Sequence, residues 1–141
     1  MVNENAFWIY DKVIPEHICD QIKKLGLSKN LGKGLTADKT YEEHKDDGIS
    51  ELLKIRDSDL SWLDENWIYK EITPVVQQAN KDAKWNYDWD RMEQAQFTKY
   101  GKGQYYKWHM DTTNKPFDNP EEPFFYNKIR KLSLSLLLSH P

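Results

Sequence analysis

Cysteine is nearly absent: Cys19 stands alone, which rules out an intramolecular disulfide framework and any Cys-based zinc finger and fits a reducing compartment. No stretch approaches the roughly 18 consecutive apolar residues of a membrane-spanning helix, and no basic-then-apolar leader opens the chain. Positive charge is not in excess either. Twenty Lys and Arg stand against 23 Asp and Glu, a net charge of −3, so no general attraction to nucleic acid or anionic lipid follows. These absences point to a cytoplasmic protein without nucleic-acid or membrane partners.

What is present fits one folded unit. A chain of 141 residues can bury one core but not two, so residues 1–141 are expected to form a single domain. Hydrophobic residues at 38% and charged residues at 30% argue against disorder. Six Trp, eight Tyr and five Phe suit either a rigid core or an aromatic-lined pocket.

Along the chain, Phe7 to Tyr10 reads as a short strand. Pro15 then opens a segment with Ile18, Ile22 and Leu25 at helical spacing and Gly26 as its stop. Ser28 to Gly48 is charged and rich in glycine, which reads as a loop. Lys54 to Ser58 reads as a strand. Trp62, Leu63, Trp67, Ile68, Ile72, Val75, Val76 and Ala79 follow the pattern of a long amphipathic helix, kinked at Pro74.

After Asn80 the sequence is expected to be mostly strand. Trp85, Tyr87 and Trp89 alternate with polar residues, and Met92 to Tyr100 and Tyr105 to Asp111 read as extended, with a turn at Gly101 and Gly103. Thr112 to Asn127 is a proline-bearing loop. Leu132, Leu134, Leu136 and Leu138 would then form one face of a half-buried strand. Helices followed by antiparallel-type strands imply an α+β fold in which helices cover a β-sandwich or barrel.

The chemistry centres on Tyr100-Gly101-Lys102-Gly103-Gln104-Tyr105-Tyr106-Lys107-Trp108-His109-Met110-Asp111. On a strand, residues two apart share a face at about 6–7 Å, so His109 and Asp111 can converge on one ion, with Tyr105 and Lys107 on their face and Tyr106, Trp108 and Met110 opposite. An imidazole nitrogen and a carboxylate oxygen are two of the three ligands of the facial triad that holds Fe(II) and leaves positions open. Taken alone, a His-x-Asp pair is weak evidence, because such pairs occur by chance and most are ordinary surface or hydrogen-bonding residues.

The spacing Tyr100-x-x-Gly103-x-x-Tyr106-x-x-His109-x-Asp111 resembles the motif of the prolyl 4-hydroxylase-like branch of the 2-oxoglutarate/Fe(II) oxygenases, PKHD-type hydroxylases included. Arg130 to Ser139 looks like the strand that follows the motif in that family. Ile14 to Cys19, Ile55 to Ser58 and Trp67-Ile68 at the head of a helix ending in Ala79-Asn80 are similar to its N-terminal half. The resemblance implies a double-stranded β-helix (jelly-roll) core with N-terminal helices packed on the sheet. It implies His109 and Asp111 as catalytic metal ligands and Tyr100 as a cosubstrate-binding residue. Tyr106 would line the same pocket or be a core aromatic on the face of Trp108. The implied cofactors are Fe(II), 2-oxoglutarate and dioxygen, with ascorbate as a candidate addition. The implied reaction is hydroxylation of a C–H bond, on a prolyl or other peptide side chain or a small molecule, with 2-oxoglutarate converted to succinate and carbon dioxide. Phe117, Phe124, Phe125 and Tyr126 would form a substrate wall or cover the core.

The family's second histidine and its following Arg or Lys do not appear. His140 reads as a turn residue beside Pro141, and His17 and His44 as solvent-facing or capping groups. The expectation is therefore an N-terminal portion of the fold lacking its last strands, with exposed edges that favour self-association or a complementing chain. Two alternatives stay open: a non-catalytic β-fold binding module, and one half of a split oxygenase.

Overall fold

Proline lacks an N–H, and at a helix start that costs nothing. Pro15 occupies this place, and its carbonyl accepts from the Ile18 and Cys19 N–H groups at 2.9 and 3.1 Å. In the computed structural model, which describes residues 5–34, 55–112 and 115–139, helix α1 therefore spans Glu16–Ser28. Ile18, Cys19, Ile22 and Leu25 recur at three- and four-residue intervals and face the core. Gly26 was expected to end this helix but lies inside it, buried, beneath the ring of Phe97. The residue is small because another element passes close by.

The strands are β1 (Gly32–Lys33), β2 (Arg56–Asp57), β3 (Asp59–Leu63), β4 (Ala95–Lys99) and β5 (Tyr105–Tyr106). One antiparallel sheet has the order β1-β3-β4, and a two-stranded ladder pairs β2 with β5. Helix α2 spans Asn66–Asp82 and continues through Pro74. The chain is thus α+β, with two helices and small antiparallel sheets among the described residues. Ile14, Ile22, Leu63, Ile68, Ile72 and Phe97 form the buried core, drawn from both helices, β3, β4 and the entry to α1. None of the described helices is long and apolar enough to cross a membrane.

Several expected elements differ. Trp62 and Leu63 belong to β3, not to the following helix: Leu63 is buried and Trp62 exposed, the two-residue period of a strand. Lys54 to Ser58 shrinks to Arg56–Asp57 as strand, residue 54 lying outside the described residues. Most of the expected loop from Ser28 to Gly48 lies outside them as well. Phe7 to Tyr10 forms no strand and is largely exposed; the Tyr10 hydroxyl donates to Asp82 Oδ2 at 2.5 Å, and just before the segment the Trp85 Nε1–H donates to the Asn5 carbonyl at 2.6 Å.

Among the described residues after Asn80 only β4 and β5 are strands. Trp85, Tyr87 and Trp89 do alternate in burial with their neighbours, but Lys84 and Asn86 have φ of 59° and 52°, the left-handed region, so no strand forms. Asn80 organises this segment. Its side chain donates to the Tyr87 carbonyl at 2.9 Å and accepts from the Tyr87 N–H at 3.0 Å. Leu136 and Leu138 pack against the core, yet the leucine segment belongs to no ladder among the described residues. Alternating leucines specify a face to bury; pairing requires a neighbouring strand as well.

Candidate functional site

Gly101 and Gly103 make the turn between β4 and β5, as expected. The Gln104 N–H donates to the Gly101 carbonyl at 3.0 Å, and Gly103 has φ of 84°, which a side chain would strain. Beyond the turn, Tyr106 stands opposite Arg56 and Tyr105 opposite Asp57. The Lys107 N–H donates to the Ile55 carbonyl at 2.9 Å, and the ladder ends there.

The expected strand from Tyr105 to Asp111 therefore stops at Tyr106. The chain bends at Trp108, and His109 folds back so that its ring stacks on that of Tyr106, centroids 3.6 Å apart and planes 14° apart. This corrects the strand parity, which had put Tyr106 and His109 on opposite faces. It also removes Trp108 from the core, since that side chain is fully exposed. Two-residue alternation holds only while the backbone stays extended, and here it does not.

The bend brings the two expected ligands together. His109 Nε2 lies 3.0 Å from Asp111 Oδ1, with the side chains 35% and 45% exposed. His109 Nδ1 is 2.8 Å from the Lys107 carbonyl oxygen. A carbonyl only accepts, so Nδ1 carries a hydrogen, and in the neutral ring the lone pair falls on Nε2. That lone pair faces a carboxylate oxygen. Two acceptors at this distance repel unless a proton or a metal cation lies between them. Cis ligands of an octahedral ion at about 2.1 Å would stand about 3 Å apart, and backbone tethering of the distal imidazole nitrogen is the usual way to aim a metal-binding histidine. The pair thus suits a shared proton, and its spacing equally suits two of the ligands of a divalent cation.

Asp111 is held from the leucine segment. Ser133 Oγ donates to its Oδ2, and Arg130 Nη1 donates to its backbone carbonyl. Arg130 itself grips Glu93, with Nε donating to Oε1 at 2.6 Å and Nη2 to Oε2. The Glu93 carboxylate, with a smaller contribution from Asp111, raises the guanidinium above its ordinary value. Thr112 Oγ1 donates to the Arg130 carbonyl at 2.9 Å. Between these strands of chain lies an open groove of about 310 Å³ lined by Asp111, Thr112, Arg130, Lys131 and Ser133 among others.

Tyr100 follows β4 directly, is about half exposed, and makes no hydrogen bond among the described residues. Phe117 and Phe125 contact one another at 6.1 Å, while Phe124 and Tyr126 are exposed, Phe124 beneath the Arg91 guanidinium at 4.4 Å. His17 is exposed on α1; His44 and His140 lie outside the described residues. Among the described residues no third His, Cys, Asp or Glu joins His109 and Asp111 in a cluster. Sequence reasoning had assigned no site role to Arg56, Arg130 or Ser133. Their signal was weak: Arg56 sat in a short segment of family likeness, and Ser133 was one of several alternating serines.

No family model, no curated protein and no solved structure matches this chain.

Proposed function

We propose that this chain is a 2-oxoglutarate- and Fe(II)-dependent dioxygenase domain, in which His109 and Asp111 supply two ligands to the iron and the reaction is hydroxylation of a C–H bond in a prolyl or other peptide side chain. The observation that carries the reading is the approach of His109 Nε2 to Asp111 Oδ1 at 3.0 Å with Nδ1 tied to the Lys107 carbonyl, an arrangement that either a shared proton or a metal cation satisfies and that has the spacing of two neighbouring metal ligands. The motif spacing from Tyr100 to Asp111 supports it, and a double-stranded β-helix is the architecture that goes with it.

Bound iron would supply, with 2-oxoglutarate and dioxygen, the oxidising power for hydroxylation. The chain's own groups bind and orient. Ser133 and Arg130 fix the Asp111 carboxylate and backbone, so the ligand does not have to be ordered when the metal arrives. The Lys107 carbonyl fixes the His109 tautomer. Tyr100, half exposed and with its phenol free of partners among the described residues, would donate to a cosubstrate carboxylate.

A second reading follows from the two-ligand cluster: one half of a split oxygenase, with another chain completing the triad. Titration with Mn(II), followed by electron paramagnetic resonance, tests both. The expected result is one bound ion per chain, lost in His109→Ala and in Asp111→Asn. Succinate formation from 2-oxoglutarate by the chain alone marks the complete enzyme; succinate only after a second chain is added marks the half. Mn(II) binding that is absent, or unchanged in His109→Ala, overturns the proposal and favours a non-catalytic binding module.

A further inference from the structure

We infer that Arg56 and Tyr106 are positioning residues that fix the plane of the His109 imidazole, a role that rests on His109 being a metal ligand. His109 follows a bend, outside any strand, and its side chain is partly exposed. Such a side chain samples several rotamers unless something holds it, and a ligand that must first be ordered binds its metal more weakly.

The holding surface is the Tyr106 ring. His109 lies nearly parallel to it at 3.6 Å, and the Arg56 Cζ lies over the same ring at 4.6 Å from its centroid. Two planar groups do not fit on one face at these distances, so guanidinium and imidazole take opposite faces of the phenol ring. Arg56 is only 5% exposed, and a desolvated guanidinium grips an aromatic face more strongly than one in water. It is itself held by hydrogen bonds: Nε donates to Ser58 Oγ at 2.8 Å, and Nη2 donates to Gln96 Oε1 at 2.7 Å and Thr98 Oγ1 at 3.4 Å.

Each of these partners is neutral, and no carboxylate pairs with Arg56 among the described residues. Among the described residues, the guanidinium thus meets three neutral oxygen acceptors and the tyrosine face. Gly34 leaves the room required, since a Cβ there would stand 2.8 Å from Arg56 Nε and 2.4 Å from Ser58 Oγ. Strand β4, guanidinium, phenol ring and imidazole thereby form one connected series, which ties a residue outside any strand to the sheet.

The test uses the full chain with Tyr106→Phe, which keeps the flat ring, Tyr106→Leu, which removes it, and Arg56→Lys, which keeps the charge and loses the plane. Two readouts are taken on variants whose far-ultraviolet circular dichroism matches the natural chain. One is the position of the His109 ring-proton resonances, which stacking moves upfield through the Tyr106 ring current. The other is Mn(II) affinity. In Tyr106→Phe both should stay as in the natural protein. In Tyr106→Leu the resonances should return to ordinary histidine positions and affinity should fall about tenfold or more, the loss typical when an outer-shell partner goes. Arg56→Lys should move both readouts in the same direction by less. Unchanged His109 resonances or unchanged Mn(II) affinity in folded Tyr106→Leu overturns the inference. If the natural chain binds no Mn(II) while Tyr106→Leu still shifts the resonances, the metal reading fails and the stack stands as what orders His109.

Discussion

The ring of Phe97 fills the space that a side chain at residue 26 would need: a Cβ built on Gly26 would lie 2.3 Å from Phe97 Cγ. Beside it, Ser61 Oγ donates to the Gly26 carbonyl at 3.0 Å. Helix α1 therefore meets the β3–β4 sheet, backbone against ring. Exchanging Gly for Ala inside a helix ordinarily stabilises by about 1 kcal/mol, but forcing a methyl group into a packed contact costs about 1–3 kcal/mol. Overpacking should win here. Gly26→Ala is expected to lower the urea midpoint, and the double variant Gly26→Ala/Phe97→Leu to recover part of the loss. A higher midpoint in Gly26→Ala would show that α1 and β4 do not meet this way.

Ser133 donates to the carboxylate oxygen of Asp111 that does not face His109. Ser133→Ala removes that donor and keeps both ligands, so Mn(II) affinity should weaken by about tenfold, with the fold intact by circular dichroism. His109→Ala should abolish binding. Equal loss in the two variants would mean that Ser133 supports the local fold and not the ligand.

Arg130 joins Glu93, before β4, to the segment after the aromatic loop. Lysine keeps the charge but cannot reproduce a two-point grip on a carboxylate. The pair is more than one third exposed, so solvent screening limits the effect of Arg130→Lys on stability to about 1 kcal/mol or less. Because Arg130 also donates to the Asp111 carbonyl, amide exchange at residues 111 and 112 should accelerate more than in α2. Uniform acceleration would mean that the bond does not hold Asp111.

Acid should loosen the joints between elements first. Lys29 lies 2.8 Å from Glu65, linking the end of α1 to the start of α2, and Lys33 lies 2.9 Å from Asp59, linking β1 to β3. Hydrogen bonds from the two lysines hold Glu65 below its ordinary 4.5 and Asp59 below its ordinary 3.8. A depressed carboxyl stabilises the fold above its unfolded-state value and loses that contribution as pH falls through the folded-state value. Stability should thus be level from neutral pH to about 5 and decline below about 4.5. Glu65→Gln and Asp59→Asn should each flatten the decline. A decline of the same steepness in the double variant would assign acid sensitivity to other carboxyls.

The sequence alone determined the parts that depend on near neighbours. Ile18, Ile22 and Leu25 placed α1, Ile68 and Ile72 placed most of α2, and Gly101 and Gly103 placed the turn before β5, because helical spacing and backbone freedom are local properties. The Tyr100-to-Asp111 spacing singled out His109 and Asp111 as candidates. Tertiary structure decided the rest. Trp62 and Leu63 read as helix until β4 lay beside them, Leu132 to Leu138 alternated without a described strand to pair with, and Gly26 looked like a stop because the ring above it comes from residue 97. The approach of His109 to Asp111 was expected from strand parity but comes about through a bend, with the His109 ring on Tyr106 and Arg56, some fifty residues earlier, against the same tyrosine ring. Contacts between residues distant along the chain select among backbone states that local preference leaves nearly equal in energy.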